Sequence, residues 1–174
     1  MQSSLPYVRT CALAVCVSFA CAAAAAAQIP RPFGSFVATR AADPVDASNS
    51  SSAFSTAKPH DQRDAAIAWR CMSDGLNVIY LAGREFDDVD DISVRARVDD
   101  DAPSDVSHWG LMQGHRAVYL PPEDVLAFTS RAIAGKRLLL HVTDPHDGIT
   151  YIEEFSLAGL AGALDYILPC GTAR

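Results

Sequence analysis

The sequence has few basic residues, and those it has are not clustered. Lys and Arg together number 14, against 21 Asp and Glu, so the formal net charge is −7. Proteins that bind nucleic acid contact the phosphates through clustered Lys and Arg. An acidic protein also has no electrostatic attraction to anionic lipid. The composition therefore argues against a nucleic-acid partner and against binding to a charged membrane surface.

Motifs of enzymatic chemistry are also missing. The chain has no H-E-x-x-H and no G-x-S-x-G, and none of its five histidines lies four residues from another. The acidic runs 87–91 and 99–101 lack the glycine and terminal glutamate of an EF-hand loop. We interpret these runs as solvated loop tips that keep the sheet from aggregating. The sequence predicts no catalytic residue, no metal site and no cofactor.

An apolar run occurs close to the N-terminus and has the form of a secretory signal. Arg9 precedes the apolar residues 10–20, and the alanines at 22–27 supply small residues for cleavage before Gln28. The run is too short to favour a membrane span. Residues 1–27 are therefore predicted to be a signal peptide, with no integral membrane segment after its cleavage. Lipoprotein processing at Cys21 is the less favoured alternative, because the preceding Ser-Phe-Ala matches the usual pattern poorly.

The cysteines support export. Of the five, Cys11, Cys16 and Cys21 lie in the predicted signal, which leaves Cys71 and Cys170. An even pair in an exported chain predicts a disulfide, since the compartment is oxidising. We therefore expect the protein to be periplasmic or secreted.

Residues 28–62 are rich in proline and serine and show no apolar pattern. Such a segment buries too little surface to offset the entropy of ordering it. It is predicted to be a disordered linker, and trimming it should leave the melting temperature almost unchanged.

Residues 63–174 are predicted to form one α+β domain with an antiparallel sheet and two helices, either sandwich-like or open beneath its helices. The predicted strands are Ala66–Cys71, Asn77–Ala82, Ile92–Val98, Val106–Met112, Arg116–Leu120, Lys136–Val142 and Gly148–Phe155. The first helix begins at Pro122 and stops at Gly135, and its buried stripe is Val125, Phe128, Ala132 and Ile133. The second is capped by Ser156 and ends before Pro169, with the stripe Leu157, Leu160, Ala161, Leu164 and Leu168.

One predicted strand also carries the candidate interaction residues. Its apolar side chains Ile92, Val94, Ala96 and Val98 alternate with polar ones, which places Arg95 and Arg97 together on the opposite face. Two arginines in this arrangement could recognise a carboxylate or a phosphate. The other interpretation is that they pair with neighbouring strands or face water. Trp69 and Trp109 are predicted to belong to the core.

The domain resembles the TagO/VasI family of exported proteins associated with type VI secretion. The matching features are Trp69 and Cys71 on the first strand, V-R-A-R-V-D at 94–99, Trp109, the ending Phe155, Leu157, Gly159, Leu160, Ala163, Leu164, and the closing Cys170. The resemblance spans Ala66 to Gly171, whereas the family usually carries a structured segment ahead of the first cysteine. It implies a non-enzymatic periplasmic accessory protein, and it transfers no catalytic residue.

Two functions follow as hypotheses. The first is an interaction protein that contacts a protein partner in the cell envelope, such as a type VI secretion assembly. The alternative is an inhibitor or binding module directed at a cell-wall enzyme such as lysozyme. Lysozymes are typically basic, and charge complementarity speeds association with an acidic partner. An enzyme is the least favoured hypothesis, because no catalytic motif is found.

Overall fold

A computed structural model of the chain describes residues 29–58, 64–86, 89–146 and 148–170. The predicted signal peptide, residues 1–27, lies outside the described residues. The described strands are β1 (Arg31–Phe33), β2 (Phe36–Thr39), β3 (Ser52–Thr56), β4 (Ala66–Met72), β5 (Gly75–Leu81), β6 (Asp91–Val98), β7 (Ser107–Leu111), β8 (Ala117–Tyr119), β9 (Arg137–Thr143) and β10 (Thr150–Ser156). A 3₁₀ turn (Pro122–Asp124) leads into helix α1 (Val125–Ala134), and α2 (Leu160–Ile167) follows β10.

The strands form one antiparallel sheet in the order β1-β2-β3-β4-β5-β8-β7-β6-β9-β10. With its two helices and one disulfide, this arrangement confirms the predicted α+β class. The sandwich-like form stays a prediction. The last strand approaches the third strand of the sheet, since the N–H of Lys58, just after β3, donates to the carbonyl of Glu154 in β10 at 2.8 Å.

The prediction of a disordered linker is wrong for residues 31–56. These residues form β1, β2 and β3, and β3 pairs with β4 along its whole length, from Ser52↔Arg70 to Thr56↔Ala66. Phe36, Ala38 and Ala53 are completely buried. The inward positions carry mostly small residues, so the segment has little apolar character of its own although it belongs to the core.

The core lies on the inner face of the sheet and centres on Trp69. The indole ring contacts Phe36 edge-on at 5.8 Å and stacks on Phe128 of α1 at 6.1 Å. Its Nε1 donates to the hydroxyl of Thr129 at 2.9 Å, which satisfies the buried polar group. Trp109 packs edge-on against Phe128 from β7. The prediction that both tryptophans are core residues is confirmed.

Both predicted helices exist, but the buried stripe of α1 is shifted. Its buried residues are Val125, Phe128, Thr129 and Ala132. The predicted Ile133 is instead 45% exposed. The polar Thr129 is buried because its hydroxyl accepts the N–H of the Trp69 indole, a contact that hydrophobic spacing does not reveal.

Helix α2 begins later than predicted, and Ser156 does not cap it. The N-cap is Gly159, with φ = 93° and no side-chain hydrogen bond. A Cβ atom at Gly159 would lie 2.0 Å from the carbonyl oxygen of Phe33, so only glycine allows the turn between β1 and β2 to approach. The helix buries Leu160, Ala163, Leu164 and Ile167. The predicted stripe is correct for Leu157, Leu160 and Leu164 and wrong for Ala161 and Leu168, which are exposed.

The interpretation of the acidic runs as solvated loop tips is wrong for Asp99. Its carboxylate accepts the backbone N–H of Lys136 and that of Arg137, the latter at 2.9 Å. Asp99 therefore ties the end of β6 to the turn between α1 and β9. The neighbouring Asp100 is exposed and pairs with the Arg137 guanidinium. Asp87 and Asp88 lie outside the described residues.

The predicted disulfide is confirmed. Cys71 in β4 is bonded to Cys170, which follows α2, across a sequence separation of 99 residues. The bond therefore joins the last helix to the middle of the sheet. Among the described residues, no helix is long and apolar enough to cross a membrane.

Candidate functional site

The two arginines that the sequence singles out lie side by side on the outer face of β6. The alternation of the strand is as predicted, with Ile92, Val94, Ala96 and Val98 buried. Arg95 is exposed, and its Nε donates to the carbonyl of Ser104 over 3.4 Å, which is long for a hydrogen bond. Arg97 forms no hydrogen bond or ion pair with any residue that the structure describes. Arg95 is thus exposed and Arg97 half-buried, and neither is held in an ion pair among the described residues, so both can contact an anionic partner.

A small depression of about 90 Å³ lies between these arginines and the neighbouring strand β9. Arg95 is paired in register with His141, and Arg97 with Leu139. Next along the row, Ile152 of β10 pairs with His141 and is 52% exposed. The surface thus combines two cations with an exposed apolar side chain. We call Arg95, Arg97 and Ile152 the arginine patch.

The larger concavity of the outer face lies on the other half of the sheet, across β2, β3, β4, β5 and β8. Its volume is about 660 Å³, within the range of ~300–1,000 Å³ that is typical of small-molecule sites. We call it the outer groove. Its lining includes the apolar residues Phe54, Ala66, Ala68, Ile79 and Leu81, together with Arg70.

Strand register explains the shape of the outer groove. Phe54, Ala68, Ile79 and Tyr119 are paired in one row across four strands, and Ala66, Leu81 and Ala117 are paired in the next. Small alanines on β4 form the floor, while Phe54 and Leu81, each about 40% exposed, form the walls. Ile79 faces outward and is still only 5% exposed, because the walls shield it.

One end of the outer groove is polar. Thr39, Ser52 and Arg70 are paired in a single row across β2, β3 and β4. Arg70 is the one charged side chain among the described residues that line the groove. The groove therefore changes from hydroxyl and guanidinium groups to purely apolar side chains along the strands.

The ionisable side chains form no metal site in the part of the chain that the structure describes, since no three His, Cys, Asp or Glu side chains come together there.

The pKa of the Asp46 carboxyl is lowered, mainly because the Ser48 side chain hydrogen-bonds it, in an exposed turn. The Asp144 carboxylate is buried and pairs with Arg84 at 3.1 Å. Its other oxygen accepts the N–H of His146, so this ion pair organises the turn between β9 and β10.

Comparison with family models and with curated proteins finds no match. Among solved structures, the fold is similar to the crystal structure of invasion associated protein B from Bartonella henselae. The two chains are 15% identical, the TM-score is 0.54, and the likeness covers 80% of this chain and 96% of that chain. The likeness concerns the fold alone. The resemblance to the TagO/VasI family stays a prediction.

Sequence reasoning placed Arg95 and Arg97 correctly on one face but missed the outer groove. Thr39, Ser52 and Phe54 of the groove belong to β2 and β3, which lie in the segment that was predicted to be disordered. The small residues Ala66 and Ala68 at alternate positions of β4 were the available signal. They indicate a floor only when the large residues of the neighbouring strands are known to flank them.

Proposed function

We propose that this protein is a non-enzymatic interaction protein that acts outside the cytoplasm and binds an envelope component, such as a type VI secretion assembly, through the arginine patch. The disulfide supports the compartment, because such bonds persist where the environment is oxidising. A protein named for its association with invasion shares the fold, which supports a role in contact between a bacterium and its surroundings.

The observation that carries the proposal is the pair of available guanidinium groups on the outer face of β6. Successive outward residues of a strand are about 6.8 Å apart, so Arg95 and Arg97 can contact one extended anionic surface together. The protein as a whole has a net charge of −7. A local cationic patch on an acidic protein orients an incoming acidic partner, because the rest of the surface repels it. The exposed Ile152 adds apolar contact beside the two charges.

The test is an affinity capture from periplasmic extract with the disulfide-bonded protein, quantified by mass spectrometry. We expect the double variant Arg95→Glu/Arg97→Glu to recover at least tenfold less of the envelope component that the unchanged protein enriches, because charge reversal replaces attraction with repulsion. The matched control is Arg131→Glu, which reverses an exposed charge on α1, outside both the arginine patch and the outer groove. Equal recovery by the double variant and the control would overturn the proposal.

The alternative, a lysozyme inhibitor, is supported by the negative charge of the whole protein rather than by the cationic arginine patch. Its supporting observation is the net charge of −7, which complements a basic muramidase. Capture of a muramidase that weakens with added salt, and that the Arg95→Glu/Arg97→Glu variant does not weaken, would support this alternative and exclude the arginine patch as the binding surface.

A further inference from the structure

The outer groove is separate from the arginine patch. The sheet order places β7 and β8 between β5, which lines the groove, and β6, which carries the patch. Ligand binding in the groove therefore does not depend on the proposed function, and either can fail without the other.

The apolar part of the outer groove offers shape but no hydrogen-bonding side chains. Phe54, Ala66, Ala68, Ile79 and Leu81 are all hydrocarbon. The backbone beneath them is already paired, since β4 has hydrogen-bonded neighbours on both sides. An extended peptide in this part would leave its own amides without partners from the groove, which is costly when they are desolvated. A hydrocarbon chain needs no such partners, so the apolar floor favours it.

The polar end of the outer groove has the chemistry that recognises a carboxylate. A guanidinium group presents paired N–H donors that match the two oxygens of a carboxylate. Arg70 forms no hydrogen bond or ion pair with the residues that the structure describes. The hydroxyl groups of Thr39 and Ser52, in the same row, are further donors with no protein acceptor in the described part of the chain.

The charge of Arg70 favours a negatively charged ligand in the outer groove. No acidic side chain is among the described residues that line the groove, although acidic residues outnumber basic ones by 21 to 14 in the whole chain. The unpaired guanidinium therefore favours an anion at this end. The row of Arg70 and the row of Leu81 are separated by four residues along β4, or about 13 Å. That length of apolar floor suits an alkyl chain of medium length.

We propose that the outer groove binds a fatty carboxylate, with its carboxylate at Arg70, Thr39 and Ser52 and its alkyl chain over Ala68 and Ala66 towards Leu81. The binding is non-covalent and reversible. Phe54 and Leu81, which are partly exposed in the free protein, become covered by the chain.

The experiment is a fluorescence titration of the disulfide-bonded protein with dansyl-undecanoic acid below its micelle-forming concentration, followed by competition with laurate. We expect saturable one-to-one binding that laurate displaces, and at least tenfold weaker displacement by dodecanol, which has the alkyl chain without the carboxylate. The Arg70→Gln variant should bind the probe roughly tenfold more weakly, since one charge-assisted contact is lost. The Ala66→Phe variant should lose binding, because the ring fills the floor.

Arg131→Gln is the matched control, since it removes an exposed guanidinium on α1, outside both the groove and the arginine patch. It should bind the probe as the unchanged protein does. Circular dichroism establishes that the variants are folded, and if Ala66→Phe is not, Arg70→Gln decides alone. Equal displacement by laurate and dodecanol, equal weakening by Arg70→Gln and Arg131→Gln, or no saturable binding would overturn the proposal. Tighter binding of an apolar peptide with a free C-terminus, or a dimer that buries the groove, would also overturn it.

Discussion

At the scale of single residues, Asn49 shows how a polar side chain can hold an irregular segment in place. Its Nδ2 donates to the carbonyl of Ile167 at 2.8 Å and to that of Pro169 at 2.7 Å, at the end of α2. Its Oδ1 accepts the N–H of Ser51. The amide therefore links the turn around residue 49 to the end of α2, and it satisfies carbonyls that a helix end leaves without intrahelical partners.

We expect Asn49→Asp to destabilise the protein by about 1–3 kcal/mol at neutral pH, because a carboxylate cannot donate to the two carbonyls and is repelled by them. The loss should be smaller at acidic pH, where the protonated acid can donate one hydrogen bond. The measurement is urea unfolding at both pH values. Ser50→Asp is the control, since it adds the same charge one residue away, and the prediction fails if the two variants lose equal stability.

At the scale of elements, the segment β1–β3 completes the sheet rather than tethering it. It covers one side of Trp69 with Phe36 and supplies the strand that pairs with β4. It also meets α2, where the N–H of Ser35 donates to the carbonyl of Ala158 at 2.8 Å. The segment is thus held by the sheet on one side and by the last helix on the other.

A chain shortened to begin at Ala57 should therefore lose cooperative thermal unfolding, because Trp69 and the free edge of β4 become exposed to water. A chain that begins at Pro30 retains β1–β3 and serves as the control, with a melting temperature close to that of the full domain. Thermal denaturation followed by near-ultraviolet circular dichroism distinguishes the two. A cooperative transition at an unchanged temperature in the shorter chain would mean that the segment is dispensable.

At the scale of the whole molecule, a disulfide and an ion pair join residues that are distant in sequence. The disulfide joins Cys71 and Cys170, and the ion pair between Lys58 and Glu154 links the segment after β3 to β10. A bond that closes a loop of this length removes conformational entropy from the unfolded chain, which stabilises the native state by about 4–5 kcal/mol in the loop-entropy account.

Reduction should accordingly lower the melting temperature by roughly 10–20 °C, given that each kcal/mol corresponds to a few degrees in a domain of this size. The measurement is differential scanning calorimetry with and without a phosphine reductant. Thiol labelling of the oxidised protein should find neither Cys71 nor Cys170 reactive. Labelling of either cysteine, or an unchanged transition after reduction, would show that the bond does not contribute as expected. The double variant Cys71→Ala/Cys170→Ala should resemble the reduced protein and should no longer respond to the reductant.

Local patterns decided much of the region after residue 65. The strict alternation of β6, the proline and glycine that bound α1, and the pairing of the two cysteines outside the signal each depend on residues close in sequence or on their number. The alternation of apolar and polar residues is recognisable wherever one face of a strand is buried and the other is exposed to solvent. These features were therefore predictable from the sequence.

Residues 31–56 and the outer groove were decided only by the tertiary structure. Ala38, Ala53 and Ser55 have little strand preference and little apolar area, so their burial follows from what packs on them rather than from their own chemistry. The groove exists because strand register sets Ala68 beside Phe54 and Ile79, and Arg70 beside Ser52. The sequence by itself determined the alternation of β6, the cysteine pair and the outward direction of Arg95 and Arg97. The folded sheet decided which distant side chains became neighbours, because register is a property of paired strands.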